Sequence, residues 1–494
     1  MQFTSTRSLQ NMSSAAAITR GIAADGGLFV PCEFPKLTWE KLEELAQLDY
    51  IGRAKEVLKL YLTDYTAEEL DYCVRGAYTN TFDNNEPAPL AEIDANTEML
   101  ELWHGPTCAF KDMALQLLPF LLVKAANKTA PGRTIVILVA TSGDTGKAAL
   151  AGFADVPNTR IVVFFPENGV SDMQKLQMIT QVGKNVSVCG IEGNFDDAQS
   201  GVKKIFTDDA IRNALDAKNM EFSSANSINF GRLVPQIVYY VSAACDLMKK
   251  GKLAKGGKFN VSVPTGNFGD ILAAYYAKCM GVPIDKLICA SNRNKVLADF
   301  LATGVYDRNR EFYTTSSPSM DILISSNLER MIYHASGNDA ELTAGLMKDL
   351  AEKGCYKLPE NVLKTLQSEF FGGYCDEKGT EEAIAKLFSE KHYLADTHTA
   401  VAVNVLDQYR KATGDQTLTV IASTASPYKF AASVLPALTK DEVPADGFAQ
   451  LEMLSKLSDT AIPAPLANLK GCEVLHRNCI EKSNMAEFVM DFLK

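Results

Sequence analysis

Residues 133–154 read RTIVILVATSGDTGKAALAGFA, and they contain the unit from which the fold can be predicted. Residues 133–140 are a continuous run rich in β-branched side chains, which is typical of a strand buried on both faces. The glycines within 141–146 predict a turn, and the small side chains of 147–154 predict a helix. A buried strand that passes through a short turn into a helix is the repeating part of a parallel sheet.

The same alternation continues toward the carboxyl end of the chain. Further strands are predicted at 160–165, 184–189, 259–264, 286–290 and 418–423, and further helices at 171–180, 195–206, 229–249 and 271–280. Repeated β-α-β units predict an α/β protein with open, mostly parallel sheets and helices on both faces. Ligands in such folds bind outside the carboxyl ends of the strands.

The first ninety residues differ from this pattern. Helical periodicity occurs at 38–48, 54–62 and 67–77, and the polar, proline-containing stretch 80–89 predicts a boundary. We therefore predict a small, mainly helical N-terminal domain over 1–89. We predict that a main region of two α/β subdomains follows over 90–430, and that a C-terminal segment over 431–494 packs on it.

Composition excludes several classes of partner. A net charge of −11 argues against nucleic acid or an anionic membrane as the main partner, and no apolar run approaches the ~20 residues that cross a bilayer. The eleven cysteines contain no C-x-x-C pair, which favours reduced thiols in a cytoplasmic protein. The histidines have no metal-ligand spacing, so no metal site is predicted.

Lys111 stands out within residues 104–112, which read HGPTCAFKD. It follows small and apolar residues and directly precedes an apparent helix over 112–124, so it is poorly placed to be an ordinary solvated charge. One use of such a semi-buried lysine with a lowered pKa is a Schiff base to pyridoxal phosphate. His104, in the same stretch, is better explained as a structural histidine.

Three further segments follow predicted strands. Residues 265–270 read TGNFGD, whose glycines and helix start suit an anion, although a tight turn capped by Asp270 explains them equally well. Residues 141–146 read TSGDTG and fit neither G-x-x-x-x-G-K-[ST] nor G-x-G-x-x-G. Their hydroxyl groups suit the binding of a carboxylate. Alternatively, Ser142 or Asp144 caps the helix that follows. Thr424 either faces a cofactor ring nitrogen or caps a helix.

Taken together, these segments resemble threonine synthases, which are pyridoxal-phosphate enzymes with a catalytic fold like that of the tryptophan synthase β subunit. The resemblance also covers 5–7, 21–31, the stretch NSINFGR at 226–232 and the stretch MDILISSNLER at 320–330. Two places depart from the family's pattern: SPYKF at 426–430, and Lys147 where a small residue is frequent.

The resemblance implies a lyase that converts O-phospho-L-homoserine and water to L-threonine and phosphate, the last step of threonine biosynthesis, in a monomer or small homo-oligomer. It implies that the cofactor lies between the two α/β subdomains, with Lys111 as its covalent attachment and then the base. The other residues to which it assigns roles are Gly266, Asn267, Phe268, Gly269 and Asp270 for the cofactor phosphate, Thr424 for the pyridine nitrogen, Ser142 and Thr145 for the substrate carboxylate, and Asn229 and Arg232 for the substrate phosphate.

The sequence leaves two alternatives open. One is a related enzyme of the same fold, such as a phosphoserine-using synthase or a threonine or serine dehydratase. The other is a phosphate- or dinucleotide-binding protein without catalysis, against which the failed nucleotide fingerprints count.

Overall fold

The computed structural model of the protein describes residues 1–141 and 143–494, except for the side chain of Asp196. Its larger sheets are mostly parallel and carry helices between successive strands. The predicted α/β fold class is therefore confirmed.

The N-terminal part is mainly helical, as predicted. Its elements are β1 (Phe3–Ser5), α1 (Ser14–Arg20), β2 (Phe29–Pro31), α2 (Trp39–Ala46), α3 (Tyr50–Tyr61) and α4 (Ala67–Tyr78). Side-chain caps start the helices: the Thr38 hydroxyl accepts a hydrogen bond from Lys41 N, and Thr66 forms a capping box with Glu69. The short antiparallel pair β1–β2 has no counterpart in the sequence prediction.

The next part of the chain alternates strands and helices. Its elements are β3 (Leu90–Asp94), β4 (Thr97–Glu101), α5 (Asp112–Leu115), α6 (Leu118–Thr129), β5 (Thr134–Ala140), α7 (Asp144–Phe153), β6 (Thr159–Pro166), α8 (Asp172–Ile179), β7 (Val186–Glu192), α9 (Phe195–Thr207), α10 (Asp209–Asp216), β8 (Met220–Ser223) and α11 (Phe230–Lys249). Strands β7, β6, β5 and β8 lie in that order and are all parallel.

The remaining part completes both sheets. Its elements are β9 (Phe259–Pro264), α12 (Gly269–Met280), β10 (Ile284–Ser291), α13 (Val296–Thr303), β11 (Val305–Asp307), α14 (Leu328–Ala335), α15 (Ala340–Lys353), β12 (Cys355–Lys357), α16 (Glu360–Glu369), β13 (Phe370–Tyr374), α17 (Glu377–Lys391), α18 (Thr397–Thr413), β14 (Thr419–Ser423), α19 (Ala431–Leu438), α20 (Gly447–Ser458), α21 (Ala464–Ala467), β15 (Asn478–Glu481) and α22 (Met485–Phe492). Strand β15 adds to β7, while β13, β10, β9, β14, β4 and β3 form the other large sheet in that order.

Sheet order determines which loops can meet. Strands β9 and β14 are parallel neighbours, with Ser262 opposite Ile421, so the loops after Pro264 and Ser423 leave the same edge of one sheet. Strand β5 is buried inside the other sheet, and the loop after Ala140 leaves its carboxyl end. The three segments that the sequence singled out thus follow carboxyl ends of parallel strands, where such folds bind ligands.

The helix predicted over 112–124 is divided into α5 and α6. Pro119 lies in the first turn of α6, where its missing N–H is tolerated. Within one continuous helix it would have removed a backbone hydrogen bond. The patterns also fail to predict the edge strands β3, β8, β13 and β15, because edge strands need no continuous apolar run.

The helices of residues 1–141 and 143–494 include none with the length and apolar character of a membrane span. Over the same residues, the histidine, cysteine and carboxylate side chains form no group of three that is placed to hold a metal ion.

Candidate active site

A cavity of about 1640 Å³ lies where the carboxyl ends of β5, β9 and β14 meet the segment before α5. The predicted site residues in its wall are Lys111, Thr145, Arg232, Gly266, Asn267, Phe268, Gly269, Asp270 and Thr424. Asn229 is not part of this wall, and Ser142 lies outside the described residues. Residues far apart in the sequence thus share one cavity.

Lys111 is buried, with 7% of its surface exposed. Its Nζ atom lies 3.3 Å from Oδ2 of Asp144 and 3.4 Å from Oγ of Ser319. Burial lowers the pKa of Lys111, and the positive charges of Arg232 and Lys429 add to this against the opposing effect of Asp144. A lowered pKa increases the share of neutral, nucleophilic amine near neutral pH.

The segment that carries Lys111 is attached to the end of β14. Phe110 N donates a hydrogen bond to the carbonyl oxygen of Thr424 at 2.8 Å, and Ser426 N donates to the carbonyl oxygen of Cys108 at 3.1 Å. The carboxylate of Asp112 closes the turn by accepting hydrogen bonds from N and Oγ1 of Thr107. This attachment brings Lys111 and Thr424 to the same part of the cavity.

The loop between β9 and α12 has the backbone of an anion site. Phe268 adopts a left-handed conformation with φ 62°, and α12 begins at Gly269 without a side-chain cap. Within the part of the chain that the structure describes, the amide groups of 266–271 find no acceptor. Free amides at a helix start carry partial positive charge and bind phosphate.

Asp270 supports this loop through its side chain. Its Oδ1 atom accepts hydrogen bonds from the hydroxyls of Tyr239 and Tyr240, both at 2.6 Å. Burial raises the pKa of Asp270 to about 6, although both tyrosines oppose this. Because the carboxylate is engaged with tyrosines, the group that Asp270 can offer to an anion is its backbone N–H.

The loop after β5 is organised by Thr141. Its Oγ1 atom accepts hydrogen bonds from the amides of Gly143 and Gly146, both at 2.9 Å. The Thr141 hydroxyl is therefore occupied within the loop. Thr145 lies half-buried in the cavity wall, where its hydroxyl can face a ligand.

Arg232 is a buried arginine in the cavity wall, 5% exposed. Its Nη1 donates to the carbonyl oxygen of Ala225 at 3.0 Å, and among the described residues no carboxylate forms an ion pair with it. Burial lowers the pKa of Arg232 to about 10, so it remains charged near neutral pH. Because Arg232 lies in the cavity wall and has no carboxylate partner among the described residues, its guanidinium can bind an anionic ligand.

Asn229 does not contact the cavity, contrary to its predicted role with the substrate phosphate. Its Oδ1 atom accepts from Gly231 N as the cap of α11, and its Nδ2 donates to the carbonyl oxygens of Ile18 and Ser224. All its side-chain hydrogen-bonding groups are thus used inside the protein. Asn229 instead joins α1 to the start of α11.

We expect Asn229→Ala to lower the free energy of unfolding by about 1–2 kcal/mol, because a helix cap and two buried contacts are lost. Denaturant unfolding would measure this, and substrate KM should remain unchanged in the folded variant. A rise in KM without loss of stability would instead return Asn229 to the substrate site.

Several residues of the site were not predicted. Ser319 lies between Lys111 and His398: His398 Nε2 accepts from Ser319 N at 3.2 Å, and His398 Nδ1 lies 2.8 Å from Asp396 Oδ1. Lys429 contacts Asp144, with 2.7 Å between Nζ and Oδ1. The motif D-x-H at 396–398 is a local sequence signal for a carboxylate–histidine pair. The loop that His398 contacts, by contrast, depends on tertiary packing.

The two departures from the family's pattern lie beside the cavity rather than in its wall. Lys147 Nζ donates to Oε1 of Gln181 at 2.6 Å, and burial lowers the pKa of Lys147 to about 8. The hydroxyl of Tyr428 donates to the carbonyl oxygen of Thr460 at 2.8 Å. Both side chains therefore have structural contacts.

The fold and the site together define a pyridoxal-phosphate-dependent enzyme: residues 99–424, which contain the buried lysine and the amide-lined loop, match the family described as "Pyridoxal-phosphate dependent enzyme". Residues 2–78 match "Threonine synthase N terminus", and residues 399–470 match "Threonine synthase, C-terminal". The chain belongs to the threonine synthase family.

Individual relatives agree with this assignment. Threonine synthase of Schizosaccharomyces pombe is 37% identical over 458 residues, which cover 87% of each chain. Among solved structures, threonine synthase from yeast has a TM-score of 0.88 and 31% identity, covering 100% of this chain and 98% of that one. The PLP-bound threonine synthase from Brucella melitensis has a TM-score of 0.85 and 36% identity, covering 100% and 99%.

Other relatives are considerably longer. Threonine synthase-like 1 of Macaca fascicularis is 41% identical over 482 residues, which are 95% of this chain and 62% of that protein. The chain therefore spans about 62% of the length of this relative.

The residues present fit pyridoxal phosphate. The amides of 266–271 lack acceptors in the described protein and can take the phosphate group. Lys111 offers a buried amine in the same cavity, and Thr424 lies in the wall beside it.

We expect Gly266→Ala to raise the Kd for pyridoxal phosphate roughly ten-fold or more, equivalent to about 1.4 kcal/mol. A Cβ at this position would lie 2.6 Å from the carbonyl oxygen of Ser319, so the loop must move. Overpacking should also cost about 1–3 kcal/mol of stability. Cofactor titration and thermal melting measure the two effects.

The matched control is Gly345→Ala in α15, where a Cβ would meet nothing within 4 Å. This change should stabilise the helix by up to about 1 kcal/mol and leave cofactor affinity unchanged. Equal behaviour of the two variants would mean that the Gly266 loop takes no part in cofactor binding.

Proposed function

We propose that the protein is a threonine synthase, a lyase that converts O-phospho-L-homoserine and water to L-threonine and inorganic phosphate. The observation that carries the choice of a phosphorylated substrate is Arg232, a buried guanidinium that faces the cavity without a carboxylate partner among the described residues. A site that leaves such a charge unpaired favours a ligand that brings a negative charge.

The cofactor would be held by residues from three segments of the cavity wall. Lys111 would hold it covalently, the amides of Gly266, Asn267, Phe268, Gly269 and Asp270 would hold its phosphate, and the Thr424 hydroxyl would face its ring nitrogen. When bound, pyridoxal phosphate withdraws electrons from the substrate carbons next to the amino group. The proposal divides the chain at 1–89, 90–430 and 431–494, with the cofactor inside the middle part.

The remaining chemistry is proton transfer, for which Lys111 is suited. Its buried amino group, with a pKa below the ordinary value, can take a proton from Cα of the substrate and can also transfer the proton at Cβ. Loss of the Cβ proton allows the phosphate at Cγ to leave, and water then adds at Cβ.

The substrate would be held at two ends. Ser142 and Thr145 would bind its carboxylate, and the start of α7, which carries Thr145, adds partial positive charge. Arg232 would bind its phosphate through the planar fork of the guanidinium. Fixing both ends places Cα and Cβ near the single amine of Lys111.

Incubation of the purified protein and pyridoxal phosphate with O-phospho-L-homoserine tests the function. Equal amounts of inorganic phosphate and L-threonine are expected, with far slower phosphate release from O-phosphoserine. An oxo acid and ammonia in place of threonine would mean elimination followed by hydrolysis of the imine, without addition of water at Cβ. Absence of phosphate release from phosphohomoserine would reject the proposal.

A further inference from the structure

Asp144 is a buried carboxylate that lies between two buried lysines. Its Oδ1 atom is 2.7 Å from Nζ of Lys429, and its Oδ2 atom is 3.3 Å from Nζ of Lys111. Asp144 is 3% exposed, Lys429 2% and Lys111 7%, so water screens these charges weakly. One negative charge therefore faces two groups that can each carry a positive charge.

The contacts favour Lys429 as the charged partner. Lys429 Nζ also donates to the carbonyl oxygen of Thr107 at 2.9 Å, and Nε2 of Gln174 donates to the same Asp144 oxygen at 2.9 Å. Lys111 makes longer contacts, at 3.3 Å to Asp144 and 3.4 Å to Ser319. A buried ammonium requires close pairing and hydrogen bonds, and those of Lys429 are shorter than those of Lys111.

Other charged groups near Lys111 come from α11 and α12. Arg232, from α11, lowers the pKa of Lys111 in addition to the main effect of burial, whereas Asp144 raises it. Asp270, from α12, is engaged by two tyrosines, and its own pKa is raised by burial. Asp144 is thus the carboxylate that contacts Lys111 directly, and Lys429 is the cation that competes for it.

We propose that Lys429 is a positioning residue that binds Asp144 and thereby leaves the amino group of Lys111 unprotonated and free to react. Without Lys429, Asp144 would pair with Lys111 alone and hold it as an ammonium ion, which neither attacks nor accepts a proton. Lys429 also holds the carbonyl of Thr107, so it fixes the segment that carries Lys111. This inference deepens the proposed function and rests on its use of Lys111 as the reactive amine.

The test uses the full chain freed of cofactor, after melting has shown that it is folded. An amine reagent labels the protein over a range of pH, and peptide mapping then measures the labelling of Lys111 at each pH. Lys429→Met should move the labelling midpoint of Lys111 upward by roughly 1–3 pH units, because the negative charge of Asp144 then acts on Lys111 without a competing cation. At a pH below both midpoints, Lys111 should be labelled roughly ten-fold more slowly, or slower still, in Lys429→Met than in the wild-type protein. Lys429→Arg should keep the wild-type profile.

Lys147→Met is the matched control, since Lys147 is a half-buried lysine on the same helix as Asp144 but bonds to Gln181. It should leave the Lys111 profile unchanged. A wild-type profile in Lys429→Met would overturn the proposal, and so would equal upward shifts in Lys429→Met and Lys147→Met.

A second comparison serves if Lys429→Met does not fold. Removing both charges of a buried pair is often tolerated, so Asp144→Asn is compared with the double variant Asp144→Asn/Lys429→Met. The first should lower the Lys111 midpoint, and the second should return it toward wild type. Identical midpoints in the two would reject a role for Lys429. Because no substrate is used, these results are separate from whether phosphohomoserine is turned over.

Discussion

Lys111→Ala should lower phosphate release from O-phospho-L-homoserine by at least about 10³-fold, because it removes both the covalent attachment of the cofactor and the base beside Cα. Lys111 is buried in the cavity wall, and under the proposed function its amine is the group that exchanges protons with the substrate. Steady-state release of phosphate, together with analysis for threonine, measures the loss.

Lys147→Ala is the control for this experiment. Lys147 is a half-buried lysine whose pKa is also lowered by burial, but its Nζ bonds to Gln181 and it lies outside the cavity wall. It should retain turnover. Borohydride reduction of the wild-type protein with cofactor, followed by peptide mapping, should label Lys111, and a label on Lys147 or on any other lysine would refute the assigned site.

Arg232→Lys should lower kcat/KM for phosphohomoserine roughly ten- to a hundred-fold, since one charge-assisted contact is worth about 1.5–3 kcal/mol. Lysine keeps the charge but loses the planar fork that matches phosphate. The effect should be mainly on KM if the contact is equally strong before and during the reaction. Binding of unphosphorylated homoserine should be nearly unaffected.

Arg330→Lys is the matched control because Arg330 is another buried arginine. Its Nε donates to the carbonyl oxygen of Phe29 at 2.9 Å and its Nη2 to that of Ile228 at 2.6 Å. Arg330→Lys should therefore lower the melting temperature more than Arg232→Lys, in which only the contact from Nη1 to the carbonyl oxygen of Ala225 is affected. Equal damage to homoserine and phosphohomoserine binding in Arg232→Lys would show that Arg232 supports the fold or the cofactor instead.

Much of the fold was predictable because its signals are local. The strand predicted at 133–140 is β5 (Thr134–Ala140), and that at 259–264 is β9 (Phe259–Pro264). Both strands are buried almost throughout, and the apolar pattern that predicts them requires no knowledge of neighbours. Strand β15 (Asn478–Glu481) was not predictable in this way, because its residues are mostly exposed and it forms through pairing with β7.

The site residues likewise divide into those with a local signal in the sequence and those without one. The lysine segment at 104–112 and the loop at 265–270 are short stretches whose residue types indicate their chemistry, and the cavity wall contains both. Asn229 shows the limit of this reasoning. Its place in a family-like stretch predicted a ligand contact, while its actual partners, Ile18 and Ser224, become visible only when α1 packs against α11.

The sequence by itself therefore determined the α/β class, the cofactor chemistry and the family, because these depend on residue types within short segments. The tertiary structure alone decided which charges face Lys111. Asp144 and Lys429 are remote in the chain, and their 2.7 Å contact forms because the start of α7 and the segment before α19 pack beside the same loop. Electrostatic interaction falls with distance and with exposure to water, so the protonation of Lys111 is a property of that packing and of no single motif.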